Sequence, residues 1–346
     1  GAAGALLLAL VGWSALAILW SRVPYLSIID LTVLGTVVIT YAAWRIATVP
    51  EAPRPLPVVG WGLLVAGLAM AAVMAGQFFT GHRPTALFLN PNSAAALVNL
   101  LWPAVAVAWL AGAGRLLGTP RAQQALLPAL FVLVFAVGLD GGRAAFLAAA
   151  TALAVVLGGS AYALGAGRRR LAAVALVFVG ALLAAYLVNV LGLGTGRLLG
   201  ERIASLGSPD EAGAVRFLQW AATWELTREA PWLGLGPGVF WLAYAAVRPA
   251  GDGTAGMFAH NDYLHFWAER GLPAPLLVLA VGGVCVYLFV RAVRAGRIGA
   301  LDPASAAGAI AAFAAVAGLG LHGLFSYQLQ LASMLIPAFL LIAELE

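Results

Sequence analysis

The sequence predicts an all-α fold: a polytopic integral membrane helical bundle with about ten transmembrane spans. Of its 346 residues, 63% are hydrophobic and only 10% are charged. Soluble domains average roughly 45–50% apolar and about 25% charged residues. The composition therefore excludes a water-soluble globule, a disordered chain and a nucleic-acid-binding protein. The apolar residues lie in long blocks rather than in short alternating runs, which argues against an outer-membrane barrel.

Ten apolar segments reach or approach the length of a membrane span, which requires about 20 residues. They cover residues 5–20, 26–47, 57–79, 93–112, 124–139, 144–164, 171–193, 272–292, 304–325 and 328–344. The first and the fifth of these segments are short. A loop is expected at Pro50–Pro57, because repeated prolines break helices.

All 19 basic residues are arginines, and their placement predicts the orientation of the spans. Three lie in the short connections after odd-numbered spans, namely Arg22, Arg83 and Arg143. Ten lie in the connections after even-numbered spans: Arg45, Arg54, Arg115, Arg121, Arg168, Arg169, Arg170, Arg291, Arg294 and Arg297. Cytoplasmic connections carry the excess of basic residues. We therefore expect the even-numbered connections and both ends of this chain in the cytoplasm.

One long connection divides the chain. Residues 1–194 carry seven predicted spans, 195–271 form a loop on the outer side of the membrane, and 272–346 carry the last three spans. Eight of the 14 carboxylates lie in this loop. Long loops in compact proteins are commonly functional, so residues 195–271 are the first place to look for a site.

The loop contains two predicted helices. The first runs over Glu211–Glu229, after the turn at Ser208–Asp210 and before Pro231, which ends it. A turn-rich segment, Trp232–Phe240, follows. The second helix is short and begins at about Asn261, with an acidic residue in its first turn and a glycine at its end.

The predicted outer side also collects the ionisable residues that lie closest to the membrane. An ionisable side chain at membrane depth costs about 2.5–3.5 kcal/mol on insertion scales, so each is a candidate site residue. The candidates are Arg83, Arg143, Arg216, His260 and His322.

These residue types favour one kind of chemistry. Arginines present forked donors that match phosphate oxygens, and a histidine can take a proton near neutral pH. The sequence contains no zinc-peptidase motif, no Asp-x-Asp pair on the predicted outer side and no Walker loop. The pattern therefore favours the transfer of a group carried on a lipid phosphate or diphosphate, with neither a metal nor a cofactor.

The segment Phe258–Pro273 resembles the His-Asn-x-x-Leu…Glu-x-Gly signature of the bacterial O-antigen ligase and O-antigen polymerase superfamily. Four further stretches agree in the expected order. They are Asn90–Asn92, Gly142–Arg143, Arg216 to Trp220 followed by Pro231–Gly238, and His322–Gln330. The resemblance extends from about Phe88 to Gln330.

The resemblance implies a helical fold like that of the C-type glycosyltransferases, in a multi-pass protein of the bacterial inner membrane with its active site on the periplasmic side. Arg143 and Arg216 would bind the diphosphate of an undecaprenyl-diphosphate-linked glycan. His260 would be catalytic and would activate or orient the acceptor hydroxyl, so that the sugar C1 is attacked with inversion. Asn261 and His322 are possible supporting residues. No metal or cofactor is implied.

Arg83 is a third possible supporting residue. The chain departs from the family pattern at Ser326, where members often have Asp. Members also often have about twelve spans against the ten counted here, so up to two spans are expected to precede this sequence.

The sequence does not decide which acceptor receives the glycan. We favour O-antigen ligation to lipid A–core. An O-antigen or polysaccharide polymerase and a protein O-oligosaccharyltransferase are alternatives within the family, with glycan or protein acceptors. A transporter or flippase for the same lipid-linked glycan is the alternative from a different class. Sugar specificity and oligomeric state are not readable from the sequence.

Each candidate residue also has a purely structural interpretation. His260 would cap or pack, Arg216 would lie on a solvated helix face, Arg143 would be an interfacial anchor, and His322 would be a hydrogen-bonded packing residue. For His265, packing or solvent exposure is the favoured interpretation. The tryptophans of the loop are expected to form an interfacial belt.

Overall fold

The computed structural model describes residues 1–48, 56–112, 120–193, 211–252 and 254–346, without the side chains of 56–61, 120–122 and 211–214. Several features of the sequence lie outside this part. They are most of the proline-rich stretch, Arg54, Arg115, the side chain of Arg121 and the opening of the long loop up to Asp210.

The described residues form thirteen α-helices and no strand. The helices are α1 Ala2–Ala17, α2 Pro24–Ala47, α3 Leu56–Phe79, α4 Pro91–Leu110, α5 Pro120–Asp140, α6 Arg143–Ala163, α7 Arg168–Val190, α8 Glu211–Glu229, α9 Phe240–Val247, α10 Asp262–Arg270, α11 Pro273–Arg297, α12 Pro303–Gly323 and α13 Ala332–Leu345. Short 3₁₀ turns lie at Ile18–Trp20 and Gln328–Gln330.

The predicted all-helical, polytopic fold is confirmed. Within the part of the chain that the structure describes, nine helices are long and apolar enough to cross a membrane: α1 to α7, α11 and α12. The tenth predicted segment forms α13, which has only 14 residues. At about 1.5 Å per residue this helix is shorter than the roughly 30 Å hydrocarbon core.

Helix α12 lies at the centre of the bundle and packs against α4, α6, α11 and α13. Its buried face consists largely of alanine and glycine, which let neighbouring backbones approach closely. A Cβ atom added at Gly318 would lie 3.0 Å from the carbonyl oxygen of Ala148 on α6. The last turn of α12, which carries His322, is therefore held by close packing.

The three loop helices, α8, α9 and α10, pack on one another at one end of the bundle around Leu226, Phe240 and Tyr244. Helix α8 has the bounds expected from the sequence, whereas the eight-residue helix α9 was not predicted. The loop also contacts the connection between α1 and α2, where Arg22 N–H donates to the Leu235 carbonyl at 3.0 Å. We call this end of the bundle, with its loop helices, the site end.

Candidate functional site

Three of the sequence-predicted residues come together at the site end. His260 lies two residues before α10, Arg216 lies in the first half of α8, and His322 lies in the last turn of α12. The Arg216 guanidinium is within electrostatic range of both imidazoles. Residues that are 106 positions apart in sequence, Arg216 and His322, are thus brought to one place by the packing of the loop on the bundle.

The backbone of His260 is held in a strained conformation. Its φ is +52°, in the left-handed region that non-glycine residues rarely occupy and that costs about 1–3 kcal/mol. The neighbouring Asn261 caps α10 and accepts Leu264 N–H on its side-chain oxygen at 3.0 Å. Trp220 Nε1 donates to the His260 carbonyl at 3.4 Å. Asn261 thus fixes the start of α10 directly after His260.

The His260 imidazole is half-buried and packs edge-to-face against Tyr327, with ring centroids 5.1 Å apart. Its buried Nδ1 has no hydrogen-bond partner among the described residues. Burial, and then the positive charge of Arg216, lower the pKa of His260 from 6.5 to about 4. The ring is therefore neutral at neutral pH and can accept a proton.

His322 is fully buried beside this group. Neither of its ring nitrogens has a hydrogen-bond partner in the described ranges. Buried polar atoms are usually paired, and those that are not call for an explanation. A hydrogen-bonded packing histidine, the structural interpretation given above, does not match this environment.

Tyr327 joins the His260 segment to the start of α4. Its ring stacks on Phe258 at 4.2 Å, and its hydroxyl accepts a hydrogen bond from Asn90 Nδ2 at 2.8 Å. The same Asn90 caps α4 by accepting Asn92 N–H at 2.9 Å. The Asn90–Asn92 motif therefore begins a helix and orients the aromatic ring that contacts His260.

Asp262 fixes the segment that follows His322. Its fully buried carboxylate accepts Leu329 N–H at 2.9 Å and a hydrogen bond from Gln330 Nε2 at 3.3 Å. Burial raises the pKa of Asp262 well above its ordinary value. Ser326, where the family pattern often has Asp, is buried and accepts a hydrogen bond from Gln328 Nε2 at 2.8 Å.

Arg143 is the first residue of α6 and its side chain is exposed. The turn before it is tight, because Gly142 N–H donates to Asp140 at 3.0 Å and a Cβ atom added at Gly142 would lie 2.5 Å from the side-chain oxygen of Asn92. Arg143 thus lies next to the start of α4, the helix whose cap holds Tyr327.

The other predicted supporting residue, Arg83, is exposed in the connection between α3 and α4. Among the residues that the structure describes, its side chain makes no hydrogen bond or ion pair. The described residues also contain no group of three or more His, Cys, Asp and Glu side chains that could hold a metal ion.

The sequence interpretation missed a buried ionic network behind His260. Arg270 pairs with Asp30 on α2 and with Glu269, and Glu269 lies 3.4 Å from His265. His265 is thus buried against a carboxylate rather than exposed. A signal existed in the sequence, since Asp30 is the only acidic residue within its apolar segment and required a partner.

Residues 128–279 match the family model described as O-antigen ligase. A search of the curated proteins finds no match. The matched stretch contains Arg143, Arg216 and His260, and it confirms the resemblance drawn from the sequence motifs. The family is one of membrane proteins with glycosyltransferase-like activity toward lipid-linked glycans. This match over residues 128–279, together with the multi-pass helical fold, supports membership of the O-antigen ligase family.

Proposed function

We propose that the protein is an inverting membrane glycosyltransferase that moves a glycan from undecaprenyl diphosphate to an acceptor hydroxyl, most specifically in O-antigen ligation to lipid A–core. The observation that carries the proposal is that Arg216 lies within electrostatic range of two imidazoles, in which Nδ1 of His260 and both ring nitrogens of His322 are buried without a hydrogen-bond partner among the described residues. The Arg216 guanidinium can bind a diphosphate leaving group, and the neutral His260 imidazole can accept a proton from a hydroxyl nucleophile.

In the proposed reaction, Arg216 and Arg143 bind the donor diphosphate. The acceptor oxygen attacks C1 of the first sugar while His260 takes the hydroxyl proton. The new C1–O bond forms as the bond between C1 and the phosphate oxygen breaks, and its electron pair leaves on undecaprenyl diphosphate. A single displacement of this kind inverts the configuration at C1. The arginines stabilise the additional charge that the leaving group acquires.

Donor binding would adjust the basicity of His260. In the unliganded site its pKa is about 4, which makes it a weak base at neutral pH. A diphosphate beside Arg216 brings negative charge to the imidazole and opposes the second cause of the lowered pKa. When the donor is in place, the pKa of His260 would therefore rise toward the operating pH, where general-base catalysis is most effective.

The position of the candidate residues also favours a transferase over a transporter. Transporter sites lie near the bilayer midplane, at the interface of structural repeats. Here Arg143 begins a span, His322 lies in the last turn of one, and His260 lies in the loop. Together with the arginine distribution, this supports a bacterial inner-membrane enzyme whose reaction takes place on the periplasmic side, in the loop of residues 195–271.

The experiment that tests the function offers the purified protein one donor and three acceptors. The donor is an undecaprenyl-diphosphate-linked glycan, and the acceptors are lipid A–core, a second lipid-linked repeat and a hydroxyl-bearing protein. Product on lipid A–core supports ligation, and product on either other acceptor assigns the protein to the polymerase or the protein O-oligosaccharyltransferase class. Translocation of the donor across vesicles without transfer to any acceptor would refute the proposal and support a flippase.

A further inference from the structure

We propose that a buried polar network, here named the anchor chain, positions His260 for the reaction. The anchor chain consists of Asp30, Arg270, Glu269 and His265, and it joins the membrane-spanning helix α2 to the backbone just before His260. Its catalytic consequence rests on the proposed function, whereas its effect on the geometry of His260 does not.

The contacts of the anchor chain run without interruption. Arg270 donates from Nη2 to Asp30 Oδ2 and from Nη1, at 2.8 Å, to Glu269 Oε2. His265 Nε2 lies 3.4 Å from Glu269 Oε1. At the other end, Ala259 N–H donates to His265 Nδ1 at 3.4 Å. The Asp30 side chain on the membrane-spanning helix α2 is thus connected to the peptide N–H of Ala259, next to His260.

The hydrogen bonds of His265 determine which ring nitrogen carries the proton. Because Ala259 N–H is a donor, Nδ1 of His265 accepts and is unprotonated. A proton on Nε2 points to Glu269 Oε1. Glu269 is held in turn, because the same Oε1 accepts Phe240 N–H at 3.0 Å. The imidazole of His265 is therefore fixed at both nitrogens in one orientation.

This fixation acts on a strained residue. His260 has a φ of +52°, and a non-glycine residue persists there only when its surroundings over-determine the conformation. One side of His260 is held by the anchor chain through Ala259, and the other by Asn261, which caps α10. Loss of the acceptor on His265 would free the Ala259 peptide, and the His260 backbone could then relax and move its ring relative to Arg216.

The burial of the anchor chain also favours a positioning role. His265, Glu269 and Arg270 are each at most 4% exposed. Burying charges costs free energy that ion pairing only partly returns, and apolar residues of similar size often serve stability equally well. The anchor chain instead makes directional contacts. One of them is the hydrogen bond from Trp13 Nε1 to the Arg270 carbonyl at 2.6 Å. Directional contacts fix the place and the angle at which the loop meets the spans.

The test replaces His265 by phenylalanine, which keeps a planar ring but cannot accept from Ala259 or donate to Glu269. The full chain is purified in detergent with isotope-labelled histidine, which is practical because the chain has only four histidines. The imidazole resonances of His260 and the steady-state kinetics of transfer are then measured. His82→Phe is the matched control, because His82 is an exposed histidine in the connection between α3 and α4.

The proposal expects shifted His260 resonances in His265→Phe, a fall in kcat of about 10- to 100-fold and a donor KM within about twofold of wild type. His82→Phe should leave the His260 resonances, kcat and the donor KM unchanged. Asp30→Asn, at the far end of the anchor chain, should produce changes in the same direction.

A folded His265→Phe protein with unchanged His260 resonances would overturn the proposal. The proposal would also be overturned if neither His265→Phe nor Asp30→Asn folds, because the anchor chain would then serve only to stabilise the fold. If the wild-type protein transfers no glycan but His260 still responds to His265→Phe, the proposed function fails while the positioning of His260 stands.

Discussion

The pKa of His260 responds directly to the surroundings that the structure gives it. Burial, followed by the charge of Arg216, lowers this pKa from 6.5 to about 4. At about 1.4 kcal/mol per pKa unit, the shift corresponds to about 3 kcal/mol. Above pH 6.5 the ring is neutral in both folded and unfolded protein, so the shift has no effect on stability. As the pH falls from 6.5 to 4, the unfolded chain binds a proton that the folded chain does not, and the free energy of unfolding decreases.

Two substitutions of Arg216 separate the causes of the shift. Arg216→Gln removes the charge but leaves the burial, so the pKa of His260 should rise above 4 and stay below 6.5. Arg216→Lys keeps a positive charge at the same place and is the matched control, in which the pKa should stay near the wild-type value. Because lysine lacks the planar fork, this control should still bind the diphosphate donor more weakly than the wild-type protein.

The assay is a titration of the imidazole resonances in histidine-labelled protein, with the His260 signal assigned by its loss in His260→Gln. The wild-type protein should titrate at about 4, and addition of donor should raise that value. A wild-type pKa near 6.5, or equal pKa values in Arg216→Gln and Arg216→Lys, would refute the electrostatic description of the site.

Three further predictions concern the donor, the topology and metal dependence. Arg143→Lys should weaken donor binding in a direct binding measurement, and wild-type affinity would remove Arg143 from the diphosphate site. In a Cys285→Ala background, an impermeant thiol reagent applied from outside should label a cysteine placed at Trp232 and miss one placed at Arg169; the opposite pattern would invert the orientation. Transfer should persist in EDTA, because the proposed mechanism places the diphosphate on arginines, and a strict requirement for Mg²⁺ or Mn²⁺ would contradict this.

The spans and the ends of several helices were predictable because their causes are local. Blocks of about 20 apolar residues are readable without knowing any neighbour. The bounds of α10 follow from the capping side chain of Asn261 and from Gly271, whose φ of +71° and close approach to the Trp232 carbonyl require glycine. The O-antigen ligase resemblance rested on the same kind of local signal, a motif of fixed spacing.

The parts that were not predictable depend on contacts between distant residues. The pairing of Asp30 with Arg270 joins positions 240 apart, and the hydrogen bond from Asn90 to Tyr327 joins positions 237 apart. The residues that flank Asp30 or Asn90 in the sequence do not indicate which distant residue each one contacts. Helix α9 has only eight residues, and its first residue, Phe240, was read as the end of a turn-rich segment. Packing of Phe240 and Tyr244 in the loop cluster stabilises this helix.

The central claim is that His260 is the base of a transfer reaction whose donor is held by arginines. The measurement that tests it most directly compares the wild-type protein and His260→Ala in one detergent preparation, with donor affinity, initial rate and the anomeric configuration of the product as readouts. We expect wild-type product with inverted configuration. We expect His260→Ala to bind the donor with nearly wild-type affinity and to turn over about 10²- to 10⁴-fold more slowly. A folded His260→Ala protein that transfers glycan at close to the wild-type rate would contradict the claim.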